Sequence, residues 1–352
     1  MLKPFTAISL FSGAGGLDLG FHRTGMVKTV ACYEHNPIFA ETLRLNQTKL
    51  VYGSGPGFPA IHVEDLSEDA TIAKMASAYD HTDIVFGGPP CQSFSIMGKK
   101  GGTDDPRGAL IFSFVKVLMA LQPKAFLFEN VPNFLSIGSG GISKELKLSL
   151  SEMGYTLWSG IVNAADFGAY TFRRRFIILG VRGDVMLPEP APTYSSKSSS
   201  GCHVDAKLPW QSCKVVFDAM DTAEKSGMRL LNHEKVNHTS QVIERFDKLA
   251  FGETDHIRKR NRLDPNRPAH SVYVGGKTGK LQARTHIHPY LPRELTAREC
   301  ASIQGFPLDW EFAGRSDAAT LQAANAVPVQ LAHSLAQHLV NVMVENCLKP
   351  RS

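Results

Sequence analysis

Five short apolar runs, each closing on a glycine turn or a carboxylate, occupy the first 130 residues and fix the fold class. They are Thr6–Phe11, Val27–Glu34, Ile61–Asp65, Asp83–Phe86 and Lys124–Glu129. Runs this apolar read as strands buried on both faces, which is the signature of a parallel sheet. Helix-forming segments separate them, such as the stretch running to Asn46 and Ala109–Leu121. The alternation predicts an α/β protein with a doubly wound, mostly parallel sheet. Leu157–Val162 and Phe176–Val181 read as two further strands. In such folds the reacting groups gather outside the carboxyl ends of the strands.

The run at 83–86 leads into Gly87-Gly88-Pro89-Pro90-Cys91-Gln92-Ser93-Phe94-Ser95. Two glycines permit a sharp exit and two prolines stiffen it, so Cys91 is held on a rigid corner. A fixed thiolate is a nucleophile that can be aimed, and this reading outweighs that of a buried loop cysteine. The glycine-rich, basic stretch 96–108 attached to it suits a lid over a polyanion. Glu129 arrives at the same edge from the fifth run. A carboxylate facing a nucleophilic cysteine suits attack at one atom of a heteroaromatic ring with proton handling at another.

The first run breaks into Ser12-Gly13-Ala14-Gly15-Gly16 ahead of a helix, which makes a cradle with free backbone N–H groups. Asp18 stands where a dinucleotide fingerprint needs its third glycine, which counts against a nicotinamide cofactor. Glu34 is placed to accept ribose hydroxyls, or else to cap the helix entered through Asn36-Pro37. Asp65 is placed to accept from an adenine amino group.

Arg173, Arg174 and Arg175 precede the strand at 176–181; at period two, Arg173 and Arg175 share a face. From Asp184 the texture turns to Pro188, Pro190, Pro192 and a Ser-rich stretch, an interdomain linker. Beyond it the strand–helix rhythm stops. Between His256 and His288, Arg258, Lys259, Arg260, Arg262, Arg267, Lys277, Lys280 and Arg284 face the single acid Asp264, which suits either a phosphate-tracking surface or a solvated loop. Ala318–Leu348 carries apolar residues at helical spacing, fitting one helix packed beside the opening strand.

Taken in order, these pieces resemble the cytosine-C5 DNA methyltransferase family. Phe11-Ser12-Gly13-Ala14-Gly15-Gly16 is similar to its first cofactor motif, Gly88-Pro89-Pro90-Cys91-Gln92 to its nucleophile motif, and Glu129-Asn130-Val131 to its Glu-Asn-Val. Arg293-Glu294-Leu295-Thr296 with Arg298-Glu299, continuing to Gln304-Gly305-Phe306-Pro307, resembles the ninth motif, and Gln322 to Pro328 the last. Two positions depart: Tyr170-Thr171 replace a Pro-Gln pair, and Ala324 a glycine.

The resemblance implies a Rossmann-like fold dependent on S-adenosylmethionine, with a catalytic domain over 1–183, an inserted target-recognition domain over 184–292, and a returning segment over 293–352. It implies Cys91, Glu129, Arg173 and Arg175 as catalytic residues: Cys91 attacks C6 of a flipped-out cytosine, Glu129 holds N3 and the amino group, and the arginines hold the base oxygen and a nearby phosphate. Phe11 would stack on adenine, Glu34 hold the ribose and Asp65 the adenine edge. Ser12, Gly13, Gly15, Gly16, Leu17, Leu66, Pro89, Asn325 and Ala326 would surround the rest of the cofactor. Gln92, Ser95, Lys99, Lys100, Arg107, Arg258, Arg260, Lys277, Lys280 and Arg284 are the expected DNA contacts. The expected partner is double-stranded DNA, with a cognate restriction endonuclease acting independently; the enzyme itself is expected to be a monomer. A tRNA-methylating branch shares these motifs, but roughly a hundred residues in the variable segment favour DNA.

Composition narrows the remaining choices. Six cysteines at 32, 91, 202, 213, 300 and 347 form no Cys-x-x-Cys pair, so neither a zinc site nor a disulfide framework is expected. The absence of a bilayer-length apolar run or a signal peptide predicts a cytoplasmic protein without membrane attachment.

Overall fold

The computed structural model describes residues 3–51, 58–90, 109–196, 207–274 and 283–351. In chain order the first part comprises β1 (Phe5–Leu10), α1 (Gly16–His22), β2 (Val27–Tyr33), α2 (Pro37–Leu45), β3 (Ala60–His62), α3 (Asp69–Ala78) and β4 (Ile84–Gly87). There follow α4 (Ala109–Leu121), β5 (Ala125–Asn130), α5 (Gly141–Glu152), β6 (Tyr155–Asn163), the two-residue β7 (Thr171–Phe172) and β8 (Arg174–Arg182). Seven strands form one sheet in the order β3-β2-β1-β4-β5-β8-β6. Strands β1 to β5 pair in parallel, as the apolar runs predict; β8 alone is antiparallel to its neighbours β5 and β6.

Alternation along each strand sorts side chains into two cores. Ala7, Ile84, Phe86, Ala125 and Leu127 face one layer, while Ile8, Leu10, Val85, Phe126 and Phe128 face the other. The second layer is filled by Ile111, Phe114 and Leu118 of α4 and by Leu146 and Leu150 of α5. Each fully buried phenylalanine contributes about 1.5–3 kcal/mol through area removed from water.

The first layer is closed from the far end of the sequence. One helix was expected there; the structure has two, α9 (Ser316–Asn325) and α10 (Val329–Glu345), preceded by α8 (Ala297–Ile303). Pro328 separates α9 from α10, since it has no N–H to continue the first helix and a fixed φ suited to opening the next. Leu331, Leu335, Leu339 and Val342 of α10 lie against the sheet. Helix α1 packs closely on α10, because Gly20 faces Ala332: a Cβ at 20 would stand 2.7 Å from the Ala332 carbonyl carbon and the His333 nitrogen.

The intervening segment has little regular structure, as its texture predicts, beyond α6 (Lys214–Lys225), α7 (Ser240–Asp247) and several two-residue strands. Its approach over 184–195 is fastened down: the Pro188 carbonyl lies 3.0 Å from His338 Nε2, and Thr193 N donates to the Asp166 carbonyl at 3.0 Å. Among the described residues no helix is long and apolar enough to cross a membrane.

Gly20→Val would force α1 and α10 apart, because the contact is backbone and cannot yield. We expect a loss of at least about 3 kcal/mol in unfolding free energy, read from urea midpoints.

Candidate active site

The order of strands reverses between β1 and β4, the switch point at which open sheets bind ligands. The two strand ends nearly touch: a Cβ on Gly87 would lie 2.3 Å from the Leu10 carbonyl oxygen. Only glycine permits this approach. At the next residue, a Cβ on Gly88 would lie 2.5 Å from Glu129 Oε2, so the start of the Gly-Pro-Pro turn rests directly on that carboxylate. Asn130 Nδ2 donates to the Pro89 carbonyl at 3.1 Å and fixes the turn. Pro89 is buried and Pro90 exposed. Cys91, Gln92, Ser95, Lys99, Lys100 and Arg107, with the basic stretch 96–108, lie outside the described residues, as do Lys277 and Lys280.

Glu129 stands at the carboxyl end of β5. Because β8 runs the opposite way, its first residues reach that same edge, and Arg175 Nε comes 2.6 Å from Glu129 Oε1. Among the described residues no aligned acceptor faces that Nε–H, so the contact is an ion pair, each side chain being about one-eighth exposed. Burial pushes the Glu129 carboxyl up from its ordinary value, and the charges of Arg175 and then Arg173 pull it back. Arg174 is exposed.

Arg173 is placed differently from Arg175. It is 3% exposed and its guanidinium is bound within the protein. Nη2 donates to the carbonyls of Ala324 (2.6 Å) and Asn325 (3.2 Å), and Nη1 to Ser271 Oγ (3.2 Å) and the Val272 carbonyl (3.5 Å). Burial lowers its pKa strongly, yet an arginine starts high enough to stay charged.

The glycine turn after β1 is shaped by left-handed residues: φ is +53° at Phe11, +57° at Gly13 and +87° at Gly15. Ser12 Oγ donates to Ser9 Oγ at 2.8 Å, and Ser12 N to the Tyr33 carbonyl at 3.2 Å. Gly16 and buried Leu17 open α1, and a Cβ on Gly16 would meet the Val327 carbonyl at 2.5 Å and the Ala326 Cβ at 3.4 Å. The opening turn and the end of α9 are thereby pressed together. Asn325 is exposed beside them and Ala326 buried.

Glu34 follows β2 directly. Its Oε2 accepts from Gly13 N and its Oε1 from Asn36 N, both at 2.8 Å, and burial raises its pKa. Of the two roles open to it, the N-cap is taken by Asn36, whose Oδ1 accepts from Ile38 N at 2.9 Å. Asp65 lies three residues beyond the end of β3. Its Oδ1 accepts from Ser67 N at 2.8 Å, which holds its pKa down, and Leu66 beside it is buried.

In the segment between β8 and α8 the basic residues do not act alike. Arg262 donates through Nη1 to the carbonyls of Phe246, Asp247 and Leu249, closing the C-terminus of α7, and through Nε to Pro289. Its guanidinium is spent on structure. Arg258 and Arg260 flank Glu294 at 3.2 and 3.6 Å. Arg284 is placed by its backbone in a two-residue strand paired with Tyr273–Val274. Among the described residues no cluster of metal-ligating side chains occurs, and Cys32, Cys213, Cys300 and Cys347 are free thiols.

Arg298 had no assigned role in the sequence. It is fully buried and donates to the carbonyls of Leu231 (2.9 Å), Pro307 (3.0 Å) and Trp310. Beside it, Arg293 Nη1 and Nη2 grip Glu299 at 2.9 and 2.7 Å, while Glu299 and Thr296 form a capping box at the start of α8. Thr296-x-x-Glu299 spells that box in the sequence. The hub role of Arg298 has no comparable local signal, because its acceptors are backbone carbonyls scattered along the chain.

Residues 5–341 match the family model of the C-5 cytosine-specific DNA methylases. The chain belongs to that family. The methylase is 33% identical to the Type II methyltransferase M1.HphI of Haemophilus parahaemolyticus, over 96% of this chain and 87% of that one. It is 30% identical to M.NgoPII of Neisseria gonorrhoeae over 95% of each. Among solved structures it is similar to a putative DNA modification methyltransferase from an Escherichia coli prophage, with a TM-score of 0.72, 28% identity, and 97% of this chain and 99% of that chain covered. The S. pombe Dnmt2 methyltransferase shares the fold at a TM-score of 0.65 and 18% identity, over 96% and 99% of the chains. The enzyme is a DNA cytosine-5 methyltransferase.

Two histidines in the methylase tie its stability to pH. Burial pushes His286 and His288 down from 6.5 to about 4. His288 Nδ1 accepts from Tyr290 N and Leu291 N (3.0 and 3.1 Å), which a protonated ring cannot do. Between those pH values the unfolded chain binds protons that the native state refuses, so stability falls as pH drops from 6.5 to about 4. The unfolding free energy measured across this window should decline with an uptake approaching about two protons from this pair.

Proposed function

We propose that this methylase transfers a methyl group to C5 of a flipped-out cytosine through a covalent bond between Cys91 and C6. The observation that carries the reading is the Glu129–Arg175 ion pair, seated at the carboxyl edge against Gly88, three residues before Cys91. A buried carboxyl whose pKa is raised can share a proton with ring N3 and accept from the exocyclic amino group. Arg175 orients that carboxylate and lies beside the position of the base oxygen. As Cys91 adds at C6, charge develops across the ring and C5 becomes the nucleophilic carbon. Once C5 has taken the methyl group, loss of its proton forms the C5–C6 double bond, breaks the C6–S bond and expels the thiolate. Inside a duplex C6 is inaccessible, so the base must leave the stack at a cost of a few kcal/mol, offset by contacts to DNA.

The cradle fits S-adenosylmethionine in the chemistry of its donors. Phe11 opens the turn, Glu34 is a half-buried carboxylate bonded to Gly13 N, and Asn325 is exposed at the end of α9. Asp65 and Leu66 supply the outer edge. When bound, that cofactor supplies an electrophilic methyl group. Arg173 is a positioning residue in this reading: it ties the arginine-bearing strand to the end of α9, beside the cofactor turn. The names of the Type II relatives support protection of a short duplex site, with any restriction endonuclease acting separately.

Cys91→Ser should abolish transfer while leaving cofactor binding largely intact, and the wild-type enzyme with methyl donor should capture DNA carrying 5-fluorocytosine at the site covalently. Near-normal turnover of the variant, or no capture, would overturn the mechanism. Glu129→Gln should slow transfer by roughly 10²- to 10⁴-fold in single-turnover assays. Gly88→Ala, whose added methyl displaces Glu129 Oε2, should slow transfer in the same direction without loss of cofactor affinity.

A further inference from the structure

Two arginines on one hairpin of the recognition segment differ in what their side chains have left to offer. The hairpin pairs Thr254–Asp255 with Arg260–Asn261. Asp255, fully buried, accepts from Arg258 N at 2.6 Å and is gripped by Arg245, so the turn between the strands is fixed. Glu294 lies against it, its side chain 13% exposed. Its Oε2 accepts from Thr285 Oγ1 at 3.3 Å, and its Oε1 accepts from Arg258 Nη1 at 3.2 Å. Arg258 thus commits part of its fork to the carboxylate, and its side chain is 43% exposed.

Arg260 turns only its Nε edge to Glu294, at 3.6 Å. No described residue accepts a hydrogen bond from its two Nη groups, and its side chain is 18% exposed. Among the described residues that Nε–H has no hydrogen-bond partner, so the charge of Glu294 alone orients the guanidinium, and its unpaired Nη groups suit two adjacent acceptors. In the major groove of a duplex that pair is O6 and N7 of guanine.

Its strand is tied by hydrogen bonds toward Arg173, which favours a base over the outer backbone: Ile287 N donates to the Asn261 carbonyl at 2.8 Å, His286 Nε2 lies 3.0 Å from the Ser271 carbonyl, and Arg173 Nη1 donates to Ser271 Oγ at 3.2 Å. Thr285, adjacent to His286 in sequence, closes the path to Glu294. Arg260 therefore belongs to the same contact network as Arg173, whose charge acts on Glu129.

We propose that Arg260 reads a guanine of the recognition site through its open Nη fork, and that Glu294 is the positioning residue that aims it. The assignment rests on the DNA-modifying reading above and adds to it the chemistry of one base pair. Arg258, more exposed and partly neutralised, is left with phosphate.

Bisulfite sequencing of a plasmid treated with the wild-type enzyme defines the site. Methylation rates are then measured on duplexes altered at each position, with wild type, Arg260→Ala, Arg260→Lys, Arg258→Ala and Glu294→Gln. Arg260→Ala and Arg260→Lys should each lose about 5- to 150-fold discrimination at one G·C pair and keep it elsewhere. Replacing that guanine by 7-deazaguanine, which lacks N7, should slow the wild type but not Arg260→Ala. Glu294→Gln should weaken preference at the same pair and no other, while Arg258→Ala should weaken binding evenly across sequences. Unchanged base preference in a folded Arg260→Ala enzyme, or an even loss across all duplexes, would overturn the assignment alone. A plasmid with no protected cytosine would overturn the methylase reading and this assignment with it.

Discussion

The buried guanidinium of Arg173 is the interaction on which the arrangement of this methylase depends. Taking an isolated charge out of water costs several kcal/mol, so it persists only where acceptors surround it. Here those acceptors come from segments far apart in sequence: the carbonyls ending α9, and Ser271 with Val272 in the recognition segment. One side chain thus joins the strand that carries Arg175, the end of α9 beside the glycine turn, and the segment around Ser271. Removing it would leave carbonyls on two separate segments without their donor at once.

The direction of β8 explains why that tie falls beside the Glu129–Arg175 pair. In a wholly parallel sheet, the residues opening a strand lie at the edge opposite the reacting groups. Reversing one strand brings Arg175 to the end of β5 and within ion-pair distance of Glu129. The sequence carries the apolar run at 176–181 and the arginines before it, but strand direction is set by pairing with β5 and β6 and has no local signature. The parallel direction of β1 to β5 was legible, because each of those apolar runs closes on a turn or an acid, whereas the order in which the strands pair has no local signature.

Legibility faded in the recognition segment, where charge was easier to count than to assign. Arg262 reads like its neighbours in sequence, yet caps α7. Arg258 and Arg260 sit two residues apart, and only the placement of Glu294 separates them. His286 and His288 serve packing as neutral rings in a region with little regular structure to satisfy its polar groups. The family motifs marked Arg293 to Glu299 as important without a reason. The reason is mechanical: a bidentate ion pair, a capping box and the Arg298 hub together set the angle at which α8 leaves the recognition segment.

The packing of Gly20 against Ala332 has a consequence for how the molecule is made. The helix that covers one face of the sheet is translated only after the whole recognition segment has left the ribosome. Until then Ala7, Ile84, Phe86 and Leu127 lack the α10 side of their core. A nascent chain therefore carries a half-dressed sheet for most of its synthesis, a state prone to association with its neighbours. Maturation of the cradle waits on the same event, since Gly16 finds Val327 only when the late helices dock.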